Sequence, residues 1–420
     1  MIQYVFMAIG FLVTALNVLT ILAVRRRLLH VSPERGNLIS IAVGLVMLVL
    51  LHPALFMLFG GISGLMSFRQ QVPQWGQIIA MSFQLATWIY GAFLLIKGTP
   101  GALIDAARKL HRAFGGKTEA SGEQPEQINL ERRRALARAG LVVPMAIIAT
   151  TAGGAVAARQ TPVVTRLRMR VPRDMTALHG VTLAQVSDVH VGSYMDAERL
   201  DEIRDAMNAV GADYHVVTGD LLDNHIDQLE ESQRFLRGLR PRRGQVFMCM
   251  GNHEYIPARD GDIKPIVEGL RESGIQLLID EAQKISIGSD HLWMGGIDYP
   301  HSPSINTLHS RTPLESLEKT LEQMSDDGAP RIVLAHHPKS FEVGRDLPLD
   351  LMLSGHTHGG QLVLGRIGDY NLSPVLPFEY YHKGLYQHEG RKLYVNSGAG
   401  GWMPVRINCP PEITLIELVA

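Results

Sequence analysis

Five short clusters of Asp, Asn and His fall in a fixed order along the C-terminal half of this sequence. They are Asp188-Val189-His190, Gly219-Asp220, Gly251-Asn252-His253-Glu254, the pair His336-His337 before Pro338, and Gly355-His356-Thr357-His358. Carboxylate and amide oxygens suit hard divalent cations, and neutral imidazole suits the borderline ones, manganese, iron, cobalt and zinc. A mixed Asp/Asn/His set therefore points to transition metals rather than to calcium or to magnesium alone. Two such ions about 4 Å apart, sharing one carboxylate, can stabilise both the attacking and the leaving oxygens of an in-line displacement at phosphorus.

The segments before these clusters have the length and composition of buried strands. Val181–Val186 precedes Asp188, Tyr214–Thr218 precedes Asp220, and Gln245–Met250 precedes Asn252. Arg331–Ala335 precedes His336, and Leu349–Leu353 precedes the Gly-His-Thr-His turn. Each is a short apolar run bounded by turn residues. Every candidate ligand thus follows the C-terminal end of a strand, where open α/β sheets place their sites. If Asp188 and His190 lie on extended chain, alternation points both the same way, toward one ion. Asp196 caps a helix with Leu200, Ile203, Met207 and Val210 at helical spacing, ended by Gly211. Thr312-Pro313-Leu314-Glu315 is a capping box that opens a second helix running to about Met324.

Taken singly, the motifs weigh unequally. Asp-x-His and Gly-Asp are ordinary turn chemistry. Gly-Asn-His-Glu after an apolar strand is more specific, and Gly-His-Thr-His-Gly-Gly more specific still. Their joint occurrence, in order and each after a strand, favours catalysis over structure.

From about Val163 to the C-terminus the chain resembles the calcineurin-like metallophosphoesterase superfamily, in its membrane-attached bacterial branch. The resemblance implies an αββα sandwich and two divalent ions, manganese, iron or zinc. It implies that Asp188, His190, Asp220 and His358 hold one ion, and that Asp220, Asn252, His336 and His356 hold the other, with Asp220 bridging. His253 resembles the family histidine that contacts phosphate and protonates the leaving group, while a hydroxide between the ions attacks in line. The family usually reads His-Asn-Pro where this chain has His336-His337-Pro338, so His337 stands at the non-ligand position, facing either the ligands or the substrate. Asp223 and Glu254 resemble residues that orient ligands. Asn396–Gly400 and Pro410-Pro411-Glu412 also match the branch.

The first part of the chain has a different composition. Ile2–Val24, Leu38–Phe59, Ile78–Ile96 and Gly140–Ala158 are apolar stretches, each close to the ~20 residues that cross a bilayer. The organisation expected is three transmembrane helices in 1–97, a basic cytoplasmic loop in 98–139, a fourth transmembrane or anchor helix in 140–158, and the phosphoesterase domain in 159–420. Arg132-Arg133-Arg134 precedes the fourth stretch and resembles a twin-arginine export signal, with Ala155-Val156-Ala157 as a small-residue cleavage pattern. Basic residues crowd the first and third connections, while only Arg69 falls in the second. Positive residues stay inside, so the expected arrangement is multi-pass in a bacterial cytoplasmic membrane, with the enzyme domain on the outer face. If 140–158 is not a span, the domain faces the cytoplasm.

The 420 residues carry a net charge of −1, which offers nothing to nucleic acid. The two cysteines imply no disulfide framework. The expected partners are the lipid bilayer and a phosphoester substrate; oligomeric state is open. Tyr370, Leu372, Val375, Leu376, Phe378, Tyr380, Tyr381 and Tyr386 either pack the last strands or form a lip that meets a lipid substrate. The function expected is hydrolysis of phosphomono- or phosphodiesters of lipids or the cell envelope. The alternatives are a cytoplasm-facing nucleotide-lipid pyrophosphohydrolase and a membrane sensor or transporter that uses the domain to bind.

Overall fold

A computed structural model describes residues 2–31, 41, 55, 58–59, 72–113, 130–192, 194–258, 262–299, 311–367, 370–373, 379–401 and 403–420. The chain divides into two compact units, Met1–Ala155 and Val156–Ala420.

The first unit is helical. Helix α1 is Ile2–Val31, α2 is Gln74–Ala113 and α3 is Leu130–Ala158. Two polar contacts join α1 to α2: Asn17 Nδ2 donates to Gln84 Oε1 at 3.0 Å, and Thr20 Oγ1 to the Thr87 carbonyl at 3.3 Å. Gly91 lets α1 approach, since a Cβ there would press on Leu16. Among the described residues one helical stretch, Trp75–Leu95, is long and apolar enough to cross a membrane, and Met145–Ala158 is a shorter apolar stretch. The expected first span lies in α1, and the expected second, Leu38–Phe59, lies almost wholly outside the described residues. Helix α2 continues to Ala113, beyond the residue at which the basic loop was placed.

The second unit is a sandwich of two six-stranded sheets. The first has the order β1-β14-β2-β3-β4-β5, with β1 Val163–Arg170, β2 Thr182–Val186, β3 Tyr214–Thr218, β4 Gln245–Cys249, β5 Gln276–Leu278 and β14 Glu412–Val419. The second has the order β12-β13-β9-β8-β7-β6, with β6 Glu281–Ile287, β7 Asp290–Gly296, β8 Arg331–Leu334, β9 Leu351–Ser354, β12 Gly384–His388 and β13 Arg391–Val395. Between the sheets Leu183, Val216, Phe247 and Ile416 meet Leu292, Ile332, Leu353 and Tyr394. The outer face of the first sheet is covered by α4 (Ala197–Ala209), α5 (Leu229–Gly238) and α7 (Lys264–Arg271), through Ile203, Met207, Phe235 and Leu270; the short α6 is Asn252–Tyr255. The outer face of the second is covered by α8 (Pro313–Leu321) and α9 (Ser340–Gly344), through Leu317 and Phe341. The layers are helix, sheet, sheet, helix, built on alternation along each strand.

Both capping motifs form. Asp196 accepts from Arg199 N at 2.8 Å, and Glu315 accepts from Thr312 N at 2.7 Å. The parallel pairs β2–β3–β4 and β7–β8–β9 bring the loops that follow them to one end of the sandwich. Gln185 fastens the sheets there, donating to Thr218 Oγ1 and to the Ser354 carbonyl, both at 3.0 Å. A small two-stranded sheet, β10 (Gly365–Ile367) with β11 (Tyr370–Leu372), stands apart from both.

Candidate metal centre

The clusters after β2, β3, β4, β8 and β9 converge. Three groups of side chains place one ligand atom each within 4.8 Å of one another: Asp188 with His190 and His358, Asp220 with His336 and His356, and His190 with Asp220 and His253. Asp220 belongs to two groups. Its Oδ2 lies 3.1 Å from His336 Nε2 and 3.7 Å from His190 Nε2. Asn252 joins through Oδ1, 2.9 Å from His356 Nδ1.

Asp188 and His190 do share one group, but not by alternation along extended chain. Both have φ +52°, as do Asp220 and His358, and His356 has φ +69°. The backbone turns left-handed at five candidate ligands, a conformation that costs a non-glycine residue roughly 1–3 kcal/mol. Neighbouring loops hold it: Asp188 N donates to the Gly219 carbonyl at 3.1 Å and His190 N to the Asp220 carbonyl at 3.0 Å. Glycine is required where loops press on a carboxylate. A Cβ at Gly251 would collide with Asp220, and one at Gly355 with Ser187 and Asp188.

Hydrogen bonds fix the tautomers of two histidines. His336 Nδ1 donates to the Thr218 carbonyl at 2.7 Å, and His190 Nδ1 to Asp223 Oδ1 at 3.2 Å. Both acceptors hold a proton on Nδ1 and turn Nε2 toward the ligand group, where it takes a cation or a second proton. His190 Nε2 then faces His358 Nε2 at 3.1 Å, with Asp188 Oδ1 3.3 Å from the latter. Two facing lone pairs beside a carboxylate repel unless a cation or proton lies among them. His358 Nδ1 is buried without a partner, and burial with the adjacent His190 holds this imidazole well below its usual pKa. His356 is held low by burial and by His337 and His336. The donor set grouped about Asp220 therefore fits divalent metal.

Protons compensate where the pairing is direct. Burial opposes charge on His336, but Asp220 outweighs it and raises the imidazole to about 10. His253 likewise rises to about 9 against burial, through Asp220 and Asp223. His253 N donates to Asp220 Oδ1 at 2.8 Å, and its Nδ1 donates to the Asp223 carbonyl. The ring is therefore clamped at Nδ1, and 20% of the side chain is exposed.

Asp223 orients two imidazoles, those of His190 and His253. Glu254 touches backbone only: it accepts from the N–H groups of Asp220, Leu221, Leu222 and Gly251, at 2.7–3.1 Å. His337 stacks on His356 with ring centroids 4.2 Å apart, and burial beside His336 and Lys339 lowers its pKa to about 3. Its Nδ1 accepts from Lys339 N at 3.2 Å.

Two contributors escaped the sequence reading. Tyr299 lies about 6 Å, centroid to centroid, from the rings of His336, His337 and His356. It follows β7 as the ligands follow their strands, which was the available signal. Arg406, fully buried, donates to the carbonyls of Ser397, Gly398 and Gly400 at 2.6–3.1 Å. It fixes the loop whose Gly400 N donates to the Asp188 carbonyl at 3.0 Å.

A family model described as calcineurin-like phosphoesterase matches residues 181–360. The uncharacterized metallophosphoesterase YkuE of Bacillus subtilis is 31% identical over 252 residues, 57% of this chain and 79% of that protein. The chain belongs to the calcineurin-like phosphoesterase family. It is also similar to a transmembrane protein with metallophosphoesterase domain of Bos taurus, 30% identical over 304 residues, 70% of this chain. That match spans 65% of the bovine protein, slightly less than two-thirds of its length. UDP-2,3-diacylglucosamine pyrophosphatase LpxG of Chlamydia muridarum is 26% identical over 291 residues, 60% of this chain and 88% of that protein.

Proposed function

We propose that the chain is a membrane-anchored phosphoesterase dependent on two divalent metal ions, hydrolysing phosphomono- or phosphodiesters of lipids or the cell envelope. The observation that carries this reading is Asp220, whose carboxylate faces the imidazoles of both ligand groups. In the assignment we favour, Asp188, His190, Asp220 and His358 hold one ion, and Asp220, Asn252, His336 and His356 the other. Such ions neutralise charge building on the phosphoryl oxygens and make water acidic enough to lose a proton near neutral pH.

The chain's own residues supply the rest. His253, clamped at Nδ1, turns Nε2 to the reacting phosphate and gives the leaving oxygen its proton. Asp223 holds His253 and His190 in register. Tyr299 and His337 pack against the imidazole of His356, and Tyr299 against that of His336 as well, which would steady these two ligands. The apolar stretch Trp75–Leu95 and the bovine relative's printed name support the membrane anchor. A second reading, hydrolysis of a nucleotide-linked lipid on the cytoplasmic face, is supported by the coverage of the pyrophosphatase relative.

The test is hydrolysis of a chromogenic phosphodiester. The purified full chain is expected to turn it over with Mn²⁺ and to stop in chelator, and Asp220→Asn to lose at least about 10³-fold, the scale of losing a site's central electrostatic group. Full activity in chelator sinks the reading.

A further inference from the structure

The outer edges of the two sheets, β1 and β12, flank a cavity of about 990 Å³, lined in part by Phe341 and Val363, which follow the candidate ligands His336 and His358 in the chain. The β10–β11 hairpin forms one wall, where Arg366 and Asn371 line the cavity. Gly365 pairs with Leu372 and Ile367 with Tyr370, so Ile367 and Leu372 share the opposite face. Ile367 on that face is 66% exposed and Leu372 37%, and Leu364, just before the hairpin, is 72% exposed. A hairpin of a water-facing protein carries the reverse pattern.

The exposed apolar surface continues along the rim. Tyr380 and Leu385, about half exposed, border the same cavity. So does Thr165 of β1, whose neighbours Val163 and Val164 are 50% and 40% exposed. Among the described residues from Val163 onward, the other exposed large apolar side chains are scattered singly, at Ile226, Leu314 and Val343. A contiguous apolar patch edged with polar groups marks an interaction surface. Two cations face the cavity, Arg366 and Lys383, and neither pairs with a described carboxylate; Glu412 there is taken by Tyr394 and Ser397.

We propose that this hairpin, with the first residues of β1 and the rim of the cavity, docks on the surface of an anionic phospholipid bilayer. The inference rests on the membrane-anchored reading. The occupant follows from chain connectivity and charge. Residues 159–162 separate Ala158, the last residue of an apolar helical stretch, from the exposed Val163. Even fully extended, that link reaches no more than about 18 Å. Arg366, at the edge of the apolar face and without a described carboxylate partner, matches phosphate headgroups, whereas Lys383 donates to Cys409 Sγ; apolar contact with basic residues is what interfacial binding uses. Docking there sets the substrate class as phosphoesters presented at a bilayer surface.

The experiment uses the full chain in vesicles of phosphatidylglycerol and phosphatidylcholine carrying nitroxide lipids. Cys249 and Cys409 are both buried, so a polarity-sensitive dye can be placed at Ile367→Cys, at Leu372→Cys and, as control, at Leu314→Cys. Several-fold stronger quenching with a blue shift at 367 and 372 than at 314 is expected. Arg366→Glu should weaken the quenching in anionic vesicles and leave it unchanged in pure phosphatidylcholine. Equal quenching at the three positions overturns the proposal. So does a blue shift that grows with protein concentration in detergent, which means a second copy covers the face. A chain that fails to float with the vesicles at all refutes the membrane anchor itself, a result distinct from floating with an unquenched hairpin. None of these readouts depends on hydrolysis.

Discussion

In the reading we propose, His253 is the residue at which catalysis and metal binding separate. Its ring lies with a centroid 4.5 Å from that of His190, yet its Nδ1 is committed to the Asp223 carbonyl. We expect His253→Ala to keep its metal content and to lose turnover by about 10²–10⁴-fold, the usual scale for a lost general acid. The loss should shrink for esters with acidic leaving groups, which need less protonation; loss of one metal equivalent would instead make His253 a ligand. At this scale the residue types were legible, because Asp, Asn and His after strand ends announce their chemistry. Their backbone was not. Nothing in Asp188-Val189-His190 tells that both flanking residues turn left-handed, since that conformation is imposed by the loops of Gly219 and Asp220. His337 was legible as a departure from the family pattern, but its stacking on His356 is a tertiary fact.

The strands and the loops after them form a rigid cradle. Glu254 gathers four backbone N–H groups around Asp220, and Arg406 gathers three carbonyls under Asp188. Arg406→Met would strip the Ser397 and Gly400 carbonyls of this donor, at about 1–3 kcal/mol each, while Gly398 still accepts from Glu412 N. The variant is expected to lose at least about 2 kcal/mol of stability, read as a lower denaturant midpoint, and to bind metal more weakly; unchanged stability would mean the loop holds itself. Strands β2, β3, β4, β8 and β9 were legible to within two residues at either end, because each is a short apolar run between turns. The insertion of β14 between β1 and β2 was not, since it pairs Leu183 with Ile416 across most of the domain. The hairpin at Gly365–Leu372 was read only as part of an apolar loop. In the structure that loop divides: Tyr381 and Tyr386 pack against the core beside the second sheet, whereas Tyr380 and Leu372 are exposed.

The whole molecule joins an apolar helical unit to a polar catalytic one, and composition alone separated them near Ala158. In the membrane-anchored arrangement we propose, charge is expected to set the side that the catalytic unit occupies. The positive-inside bias and a spanning segment at 140–158 would put it outside. Protease added to intact spheroplasts is then expected to remove the catalytic unit, and Arg132→Lys with Arg133→Lys to impair export. Protection until lysis would place the site in the cytoplasm and favour the nucleotide-lipid reading. The central claim, two ions grouped about one carboxylate, is most directly tested by counting metal. Elemental analysis of the purified full chain, reconstituted with Mn²⁺ and freed of excess, should give close to two equivalents per chain. Asp220→Asn, a substitution of nearly equal volume, should drop that value below one, because it weakens both sites together. Two equivalents retained in the variant, or none in the wild type, would contradict the account.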